Sequence, residues 1–176
     1  MEICIVSGYF NPIHPGHISL IQDVKKAHPK SELVVIVNND HQVKLKDSVP
    51  FLDELTRCYI LQHIRNVDQV VLSIDTNKTV VKTLEMIYAQ ANVDNSPAKC
   101  NFFFCNGGDR DPTSAVTPEV EFCMKNDIKL EYGFGDDKLY SSSGLIQNAC
   151  DYVNNRAFWS NFTDDILDEL NIDRDI

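Results

Sequence analysis

The sequence lacks any apolar run approaching the ~20 residues that a helix needs to cross a bilayer. Its first residues, MEICIVSGYF, also lack the basic start and the long apolar centre of a secretory signal. We therefore expect a cytoplasmic protein without a membrane segment. Internal repeats and low-complexity segments are absent as well, and hydrophobic residues make up 43% of the chain, which is enough for a core and excludes a disordered chain.

Basic residues are scarce. Lys and Arg total 16 against 26 Asp and Glu, which gives a formal net charge of −10. Such a surface repels the phosphates of nucleic acid, and no basic stripe along the chain compensates for it. A nucleic-acid partner is therefore not expected, and any phosphate ligand has to be held by a local pocket.

Metal-binding spacings are also missing. The six cysteines form no C-x₂-C pair and show no cysteine–histidine spacing typical of a zinc site. Cys4 and Cys105 lie in apolar runs, as small buried hydrophobic residues of a reducing compartment do. We therefore predict no metal bound by protein ligands.

What the chain does have is a regular alternation of strands and helices. Short apolar runs lie at 2–7, 32–37, 68–73, 101–105 and 128–133, with helical stretches at 16–28, 52–65, 77–91, 117–126 and after Ser141. This alternation predicts an α/β fold, namely a Rossmann-like, doubly wound, parallel five-stranded sheet with helices on both faces. In that architecture ligands bind at the carboxyl ends of the strands, where the strand order reverses.

Residues 1–150 are assigned to this domain, and residues 151–176 to an acidic helical extension of it. The aromatic side chains of the extension are candidates either for covering the edge of the core, which is the default, or for a homodimer interface: Phe158, Trp159 and Phe162. Within the domain, the stretch 47–64 has a helical period that places four apolar residues on one side: Leu52, Leu55, Tyr59 and Ile60.

The first strand is followed by SGYFNPIHPGH at residues 7–17. Gly8 permits close approach of the backbone to a ligand, and Pro15 suits the first turn of a helix. His14 and His17 then lie at a helix start, whose free N–H groups and dipole attract anions. Two imidazoles there can stabilise a phosphoryl group that gains charge, whereas the alternative, a metal, would need a third ligand that the sequence does not reveal.

GYFNPIHPGH resembles the G-x-F-[DN]-x-x-H-x-G-H signature of the nucleotidyltransferases related to class I aminoacyl-tRNA synthetases, the cytidylyltransferase-like superfamily. These enzymes join a nucleoside monophosphate from CTP or ATP to a phosphorylated acceptor and release pyrophosphate. The resemblance covers about residues 1–150. It implies catalytic roles for His14 and His17, and nucleotide contacts from other residues of the motif: Gly8, Tyr9, Phe10, Asn11 and Gly16.

Segments that follow the later strands resemble the same enzymes. The resemblance implies phosphate contacts in catalysis for Lys44 and Lys46, which we predict to lie in a loop, and contacts with a substrate phosphate for Arg57 and Lys138. It implies nucleotide contacts for residues of NGGDR and YSSS: Gly108, Asp109, Arg110, Ser141, Ser142 and Ser143. Without the resemblance these segments would be solvated lysines, a glycine turn and a helix cap.

The resemblance implies an enzyme whose partners are a nucleoside triphosphate and a phosphorylated small molecule. RNVD at residues 65–68 and the paired lysines favour transfer of CMP from CTP to a phosphorylated alcohol or sugar, as in glycerol-phosphate cytidylyltransferases. The alternative is adenylyl transfer from ATP to a sugar phosphate, as in heptose-phosphate enzymes, or to a cofactor precursor. Asn11, where cytidylyltransferases usually have Asp, fits that branch too. A second alternative is an inactive nucleotide-binding regulator. Mg²⁺ is expected as a cofactor, held mostly by substrate oxygens and water.

Overall fold

The computed structural model describes residues 1–93, 100–107, 117–135 and 141–154. The chain divides into two compact units, Met1–Ser142 and Ser143–Ile176. Helix α6 (Ser142–Asn154) begins at the end of the first unit and supplies the described part of the second. Among the helices in the described ranges, none is both long and apolar enough to cross a membrane.

The first unit is built on a parallel sheet of five strands. They are β1 (Glu2–Gly8), β2 (Glu32–Val37), β3 (Gln69–Leu72), β4 (Asn101–Gly107) and β5 (Lys129–Phe134), in the spatial order β3-β2-β1-β4-β5. The predicted doubly wound sheet is confirmed. Because the chain leaves β1 toward β2 and later returns to its other side with β4, the carboxyl ends of β1 and β4 flank the point where the strand order reverses.

Four helices lie within or near the predicted helical stretches. They are α1 (Pro15–Ala27), α3 (Glu54–Gln62), α4 (Val81–Val93) and α5 (Pro118–Lys125). A further helix, α2 (Asp40–Leu45), occupies the segment that was predicted to be a loop, so that prediction is wrong. The side chain of Asn39 accepts a hydrogen bond from the backbone N–H of Gln42, and the side chain of Gln42 accepts one from the N–H of Asn39. This reciprocal cap stabilises so short a helix.

Hydrophobic layers cover both faces of the sheet. Along β1, Cys4 and Val6 pack toward α1 and α3, whereas Ile3 and Ile5 pack toward α4 and α5. Because successive side chains of a strand point to opposite faces, a strand buried on both sides is apolar throughout. This explains why runs such as ELVVIV (32–37) identified the strands correctly.

The buried side of α3 differs from the apolar stripe in its sequence. Leu55 and Tyr59 belong to that stripe but are 70% and 63% exposed. The core face of the helix instead carries Leu61, which is fully buried, and Arg57, which is 1% exposed. A charged residue therefore occupies the position that a periodicity argument reserves for a hydrophobic one.

The pairing of β4 with β5 contains a bulge. Cys105 is paired with Glu131 but Gly107 is paired with Phe134, so that two steps on β4 correspond to three on β5. Gly133 has a φ of 83°, a conformation that favours glycine. Beyond it, the chain passes so close to α1 that a Cβ on Gly135 would lie 3.2 Å from the backbone nitrogen of Leu20.

Candidate active site

The turn after β1 folds back on itself. The ring of Phe10 is buried against the end of the strand, and a Cβ added to Gly8 would lie 3.1 Å from two of its ring carbons. The same ring lies 4.8 Å, centroid to centroid, from the imidazole of His17. Phe10 has a φ of 50°, which is uncommon for a residue with a side chain. The glycine and the aromatic residue together support the segment that carries the histidines.

His14 and His17 are fixed by the start of α1. His14 is the N-cap residue and Pro15 the first residue of the helix. The backbone N–H of His14 donates to Nδ1 of His17 over 3.3 Å, so the neutral ring of His17 carries its proton on Nε2. The two rings stack with their centroids 3.8 Å apart. The site therefore has an imidazole N–H donor beside a helix N-terminus, an arrangement suited to a phosphate.

The imidazole of His14 is held in a low-polarity environment. Burial lowers its pKa below the ordinary value of 6.5, which favours the neutral ring. Its Nδ1 atom is buried and has no hydrogen-bond partner in the described parts of the chain. Gly16 leaves the space for this ring, because a Cβ there would lie 3.2 Å from Cε1 and Nδ1 of His14.

The two lysines of the predicted phosphate contact lie at the end of α2. Lys44 is in its last turn and Lys46 is its C-cap residue, and both side chains are exposed. Nζ of Lys46 lies 4.7 Å above the ring of Tyr9, which follows β1 directly. The structure thus brings one cationic side chain next to the histidine turn, although Lys46 follows His17 by 29 positions in the sequence.

Asn11, for which the resemblance implies a nucleotide contact, has protein partners at both ends of its side-chain amide. Its Nδ2 donates to the carbonyl of Val49 over 2.8 Å, and its Oδ1 accepts from the N–H of Phe51 over 2.6 Å. The residue is 4% exposed. Its amide therefore holds the loop that follows α2.

Arg57, for which the resemblance implies contact with a substrate phosphate, is surrounded by protein groups. The side chain is buried and donates from Nη1 to the carbonyls of Tyr9 (2.6 Å) and Asn38 (2.7 Å). Nε donates to the carbonyl of Leu52 over 3.1 Å, and Nη2 pairs with Asp40 over 2.6 Å. All three nitrogens of the guanidinium are thus occupied by protein groups.

The remaining predicted contacts are only partly described. Oγ of Ser142 donates to the carbonyl of Pro12 over 2.9 Å, which places the end of the first unit beside the histidine turn. Ser141 is exposed just before α6, and Ser143 is exposed in its first turn, in the second unit. Four predicted site residues lie outside the described residues: Gly108, Asp109, Arg110 and Lys138.

Sequence reasoning missed the polar framework at the carboxyl ends of β2 and β3. Asn39 donates from Nδ2 to the carbonyls of Ser73 and Asp75, each over 2.9 Å. The carboxylate of Asp75 is buried and accepts from the N–H groups of Lys82 and Thr83 at the start of α4. This framework supports the start of α2. The sequence signal for that helix was the N-x-x-Q spacing of Asn39 and Gln42 before an apolar residue, which is a capping-box pattern.

No group of three or more His, Cys, Asp or Glu side chains suited to a metal ion occurs among residues 1–93, 100–107, 117–135 and 141–154. A Mg²⁺ ion held mainly by the oxygens of a triphosphate and by water would need no such group of protein ligands.

Comparison with known proteins places this site in a family context. The sequence model described as cytidylyltransferase-like matches residues 5–109, which include the end of β1, the histidine turn, α2 and β4. FAD synthase of Korarchaeum cryptofilum is 43% identical over 70 residues, which are 39% of this chain and 48% of that protein. FAD synthase of Thermoplasma acidophilum is 34% identical over 82 residues, which are 46% and 56% of the two chains.

The bifunctional protein HldE of Gluconobacter oxydans is 37% identical over 87 residues, or 48% of this chain and 18% of that protein. The chain thus spans about half, or less, of the curated relatives named here. Among solved structures, the lipopolysaccharide core biosynthesis protein of Thermoplasma volcanium superposes with a TM-score of 0.54 at 22% identity, covering 78% of this chain and 99% of that one. This last likeness concerns the fold.

Proposed function

The chain belongs to the cytidylyltransferase-like family, and on that premise we propose that it transfers a nucleoside monophosphate from a nucleoside triphosphate to a phosphorylated small molecule, with release of pyrophosphate. The observation that carries the proposal is the stacked pair His14 and His17 at the N-terminus of α1, beside the point where the strand order of the sheet reverses. Ligands of open α/β sheets bind at that point, and a helix N-terminus favours phosphate.

The chemistry is an exchange of one phosphate bond for another. An oxygen of the acceptor phosphate attacks the α-phosphorus of the triphosphate, and the bond from that phosphorus to the oxygen bridging the β-phosphate breaks. The departing pyrophosphate takes the electron pair of this bond. Both reactants are anionic, so in-line placement and neutralisation of charge supply most of the catalysis, and no covalent nucleophile is needed.

Each proposed role follows from where the residue lies. His17 donates from Nε2 to an oxygen of the α-phosphate, and His14 stabilises charge on the same group or on the leaving pyrophosphate. Lys44 and Lys46 neutralise the triphosphate or the acceptor phosphate as point charges. The hydroxyl of Ser141, before α6, and the backbone N–H of Ser142, at its start, are proposed to donate to the β- and γ-phosphates. A Mg²⁺ ion bound with the nucleotide would supply further neutralisation of its negative charge.

We propose ATP as the donor nucleotide. Two of the relatives are named FAD synthases, and the synthesis of flavin adenine dinucleotide from a flavin phosphate requires an adenylyl group. The CTP reading, which the sequence favoured, remains the second candidate. It is supported by the description of the family and by the RNVD segment at residues 65–68.

The test is to measure pyrophosphate release with each of the four nucleoside triphosphates and Mg²⁺. The acceptors are flavin mononucleotide, a heptose phosphate and glycerol phosphate, and each pair is repeated with His14→Ala. The proposal predicts release with ATP and one acceptor, and its loss in the variant. Release with CTP alone would replace ATP by CTP. Nucleotide binding, seen as a raised melting temperature, without release from any pair would favour the regulator and contradict the proposed enzyme.

A further inference from the structure

We propose that Asn11 and Arg57 are positioning residues that clamp the segment carrying the two lysines, at both of its ends, onto the histidine turn. This segment, residues 40–52, is called the lysine segment below. The inference rests on the proposed function insofar as Lys44 and Lys46 act on phosphate. It adds that position 11 serves the lysine segment and does not read the base of the nucleotide.

Arg57 holds the beginning of the lysine segment. Its Nη2 pairs with the carboxylate of Asp40, the first residue of α2, over 2.6 Å. Its Nη1 at the same time donates to the carbonyls of Tyr9 and Asn38, which directly follow β1 and β2. One buried guanidinium therefore joins the exits of two neighbouring strands to the start of α2. A planar fork of donors can do this, whereas a lysine ammonium cannot reach all of these acceptors at once.

Asn11 holds the end of the lysine segment. Its amide is bonded to Val49 through Nδ2 and to Phe51 through Oδ1, and Arg57 adds a third bond from Nε to the carbonyl of Leu52. Asn11 is three residues before His14 in the same turn. A shift of the loop after α2 would thus act on the lysines and the histidines together.

The chemistry of these bonds explains why residue 11 is an asparagine. The loop offers it one carbonyl, at Val49, and one N–H, at Phe51. A carboxamide satisfies both, because it has a donor and an acceptor side. An aspartate has only acceptors, so it would face the carbonyl of Val49 with an oxygen and leave a buried polar contact unsatisfied. The loop therefore accounts for the residue at this position, independently of the nucleotide.

The experiment compares wild type, Asn11→Asp and Asn11→Ala with a matched control, Asn126→Asp. Asn126 also donates from Nδ2 to a backbone carbonyl, that of Phe122 over 2.9 Å, but lies at the end of α5, away from the strand exits. The first measurement is the rate of tryptic cleavage after Lys44 and Lys46 in the native protein, resolved by mass spectrometry. The second is kcat and KM with ATP and with CTP.

We expect both Asn11 variants to be cleaved at these two lysines about tenfold faster or more, as the loss of a buried hydrogen bond allows, and the control to be cleaved as wild type. In Asn11→Asp we expect kcat/KM to fall about tenfold or more with both nucleotides, mainly through kcat, and their ratio to stay as in wild type. If Asn11 had only a structural role, its substitution would lower overall stability but would leave the cleavage pattern and the kcat of the folded fraction unchanged.

Two results would overturn the inference. One is unchanged cleavage after Lys44 and Lys46 in folded Asn11→Asp. The other is a change of about tenfold or more in the preference between ATP and CTP, which would assign the residue to base recognition. The cleavage measurement needs no activity, so a wild-type protein that releases no pyrophosphate would contradict the proposed function while leaving the clamp to be judged by proteolysis.

Discussion

The imidazole rings of His14 and His17 stack almost face to face, with centroids 3.8 Å apart and planes 26° from parallel. Two positive charges at that separation would repel each other strongly in a partly buried site. Burial also lowers the pKa of His14, in the direction of a neutral ring. In the free protein the ring of His14 is therefore expected to be neutral.

Replacing either histidine by alanine should abolish most turnover. We expect kcat to fall by about 10² to 10³, as when a donor to a developing charge is removed from an enzyme, with an unchanged far-ultraviolet circular dichroism spectrum. His63→Ala is the matched control, because that ring is exposed at the end of α3, where it contacts Tyr59. Near-normal turnover in His14→Ala or His17→Ala would contradict the assigned roles.

Gly16→Ala should separate activity from stability. The added Cβ would lie 3.2 Å from the ring of His14, which has to shift by a few tenths of an ångström, while the helix gains about 0.4–1 kcal/mol because alanine restricts the unfolded chain. We expect an unchanged or higher free energy of unfolding and a kcat reduced about tenfold, since small misplacements of catalytic groups are costly.

The check for Gly16→Ala is a double-mutant cycle with His14→Ala. If the new methyl group acts through the ring of His14, it should have no further effect on turnover once that ring is gone. An equal loss of turnover in both backgrounds would show that the methyl group acts elsewhere.

Removal of the charge of Lys44 or Lys46 should weaken the neutralisation of the substrate phosphates. We expect Lys44→Ala and Lys46→Ala each to lower kcat/KM by about 10², and the loss to shrink as salt rises, because added ions screen exposed charges. Lys30→Ala is the control, since Lys30 is an exposed lysine before the amino end of β2, at the opposite edge of the sheet. Equal effects of all three substitutions would point to net charge alone.

His28 should make stability depend on pH. Its Nε2 lies 2.8 Å from Oε2 of Glu131 and its Nδ1 lies 3.8 Å from Oε2 of Glu2. Burial acts to lower the pKa of His28, but the hydrogen bond to Glu131 and the charges of Cys4, Glu131 and Glu2 outweigh it and raise the pKa above 6.5. The folded state thus binds the proton more tightly than the unfolded state does.

This contribution to stability is complete below the ordinary pKa and is lost as the pH rises through the raised value. The free energy of unfolding in urea should therefore exceed that of His28→Gln by more at about pH 5.5 than at about pH 8.5, on either side of the ordinary histidine value. Taking the difference between the two proteins removes the opposite trend from His14. A difference that stays constant with pH would contradict the prediction.

The strands, the long helices and the histidine turn could be predicted from local patterns, because apolar runs and the Gly–Pro–His spacing lie within short windows of sequence. The partners of Asn11 and Arg57 could not. Asn11 is bonded to a residue 38 positions away and Arg57 to one 48 positions away, so no window contains both ends of these bonds. A polar residue in a motif suggests a ligand, and only its burial in the structure reveals that the protein itself satisfies it.

The prediction of which face of α3 is buried was wrong for a related reason. The stripe of Leu55 and Tyr59 has the helical period, but a period gives the direction of burial only when the polar residues of the helix stay outside. Arg57 goes inside because four acceptors from three segments are available to its guanidinium there. Short helix α2 was missed because only two of its six residues, Val43 and Leu45, are aliphatic, which is too few to show a helical period.

The bulge between β4 and β5 sets the phase of the last strand. Leu130 packs toward α4 and α5, yet Phe134, an even number of residues later, packs toward α1 and α3. In an unbroken strand both would point to the same face, so the extra residue reverses the parity of everything that follows it. Deletion of the single residue Gly133 would turn Phe134 away from the layer of α1 and α3 and toward the opposite layer. The face to which the last side chains of β5 point thus depends on the number of residues in the strand as much as on their chemistry.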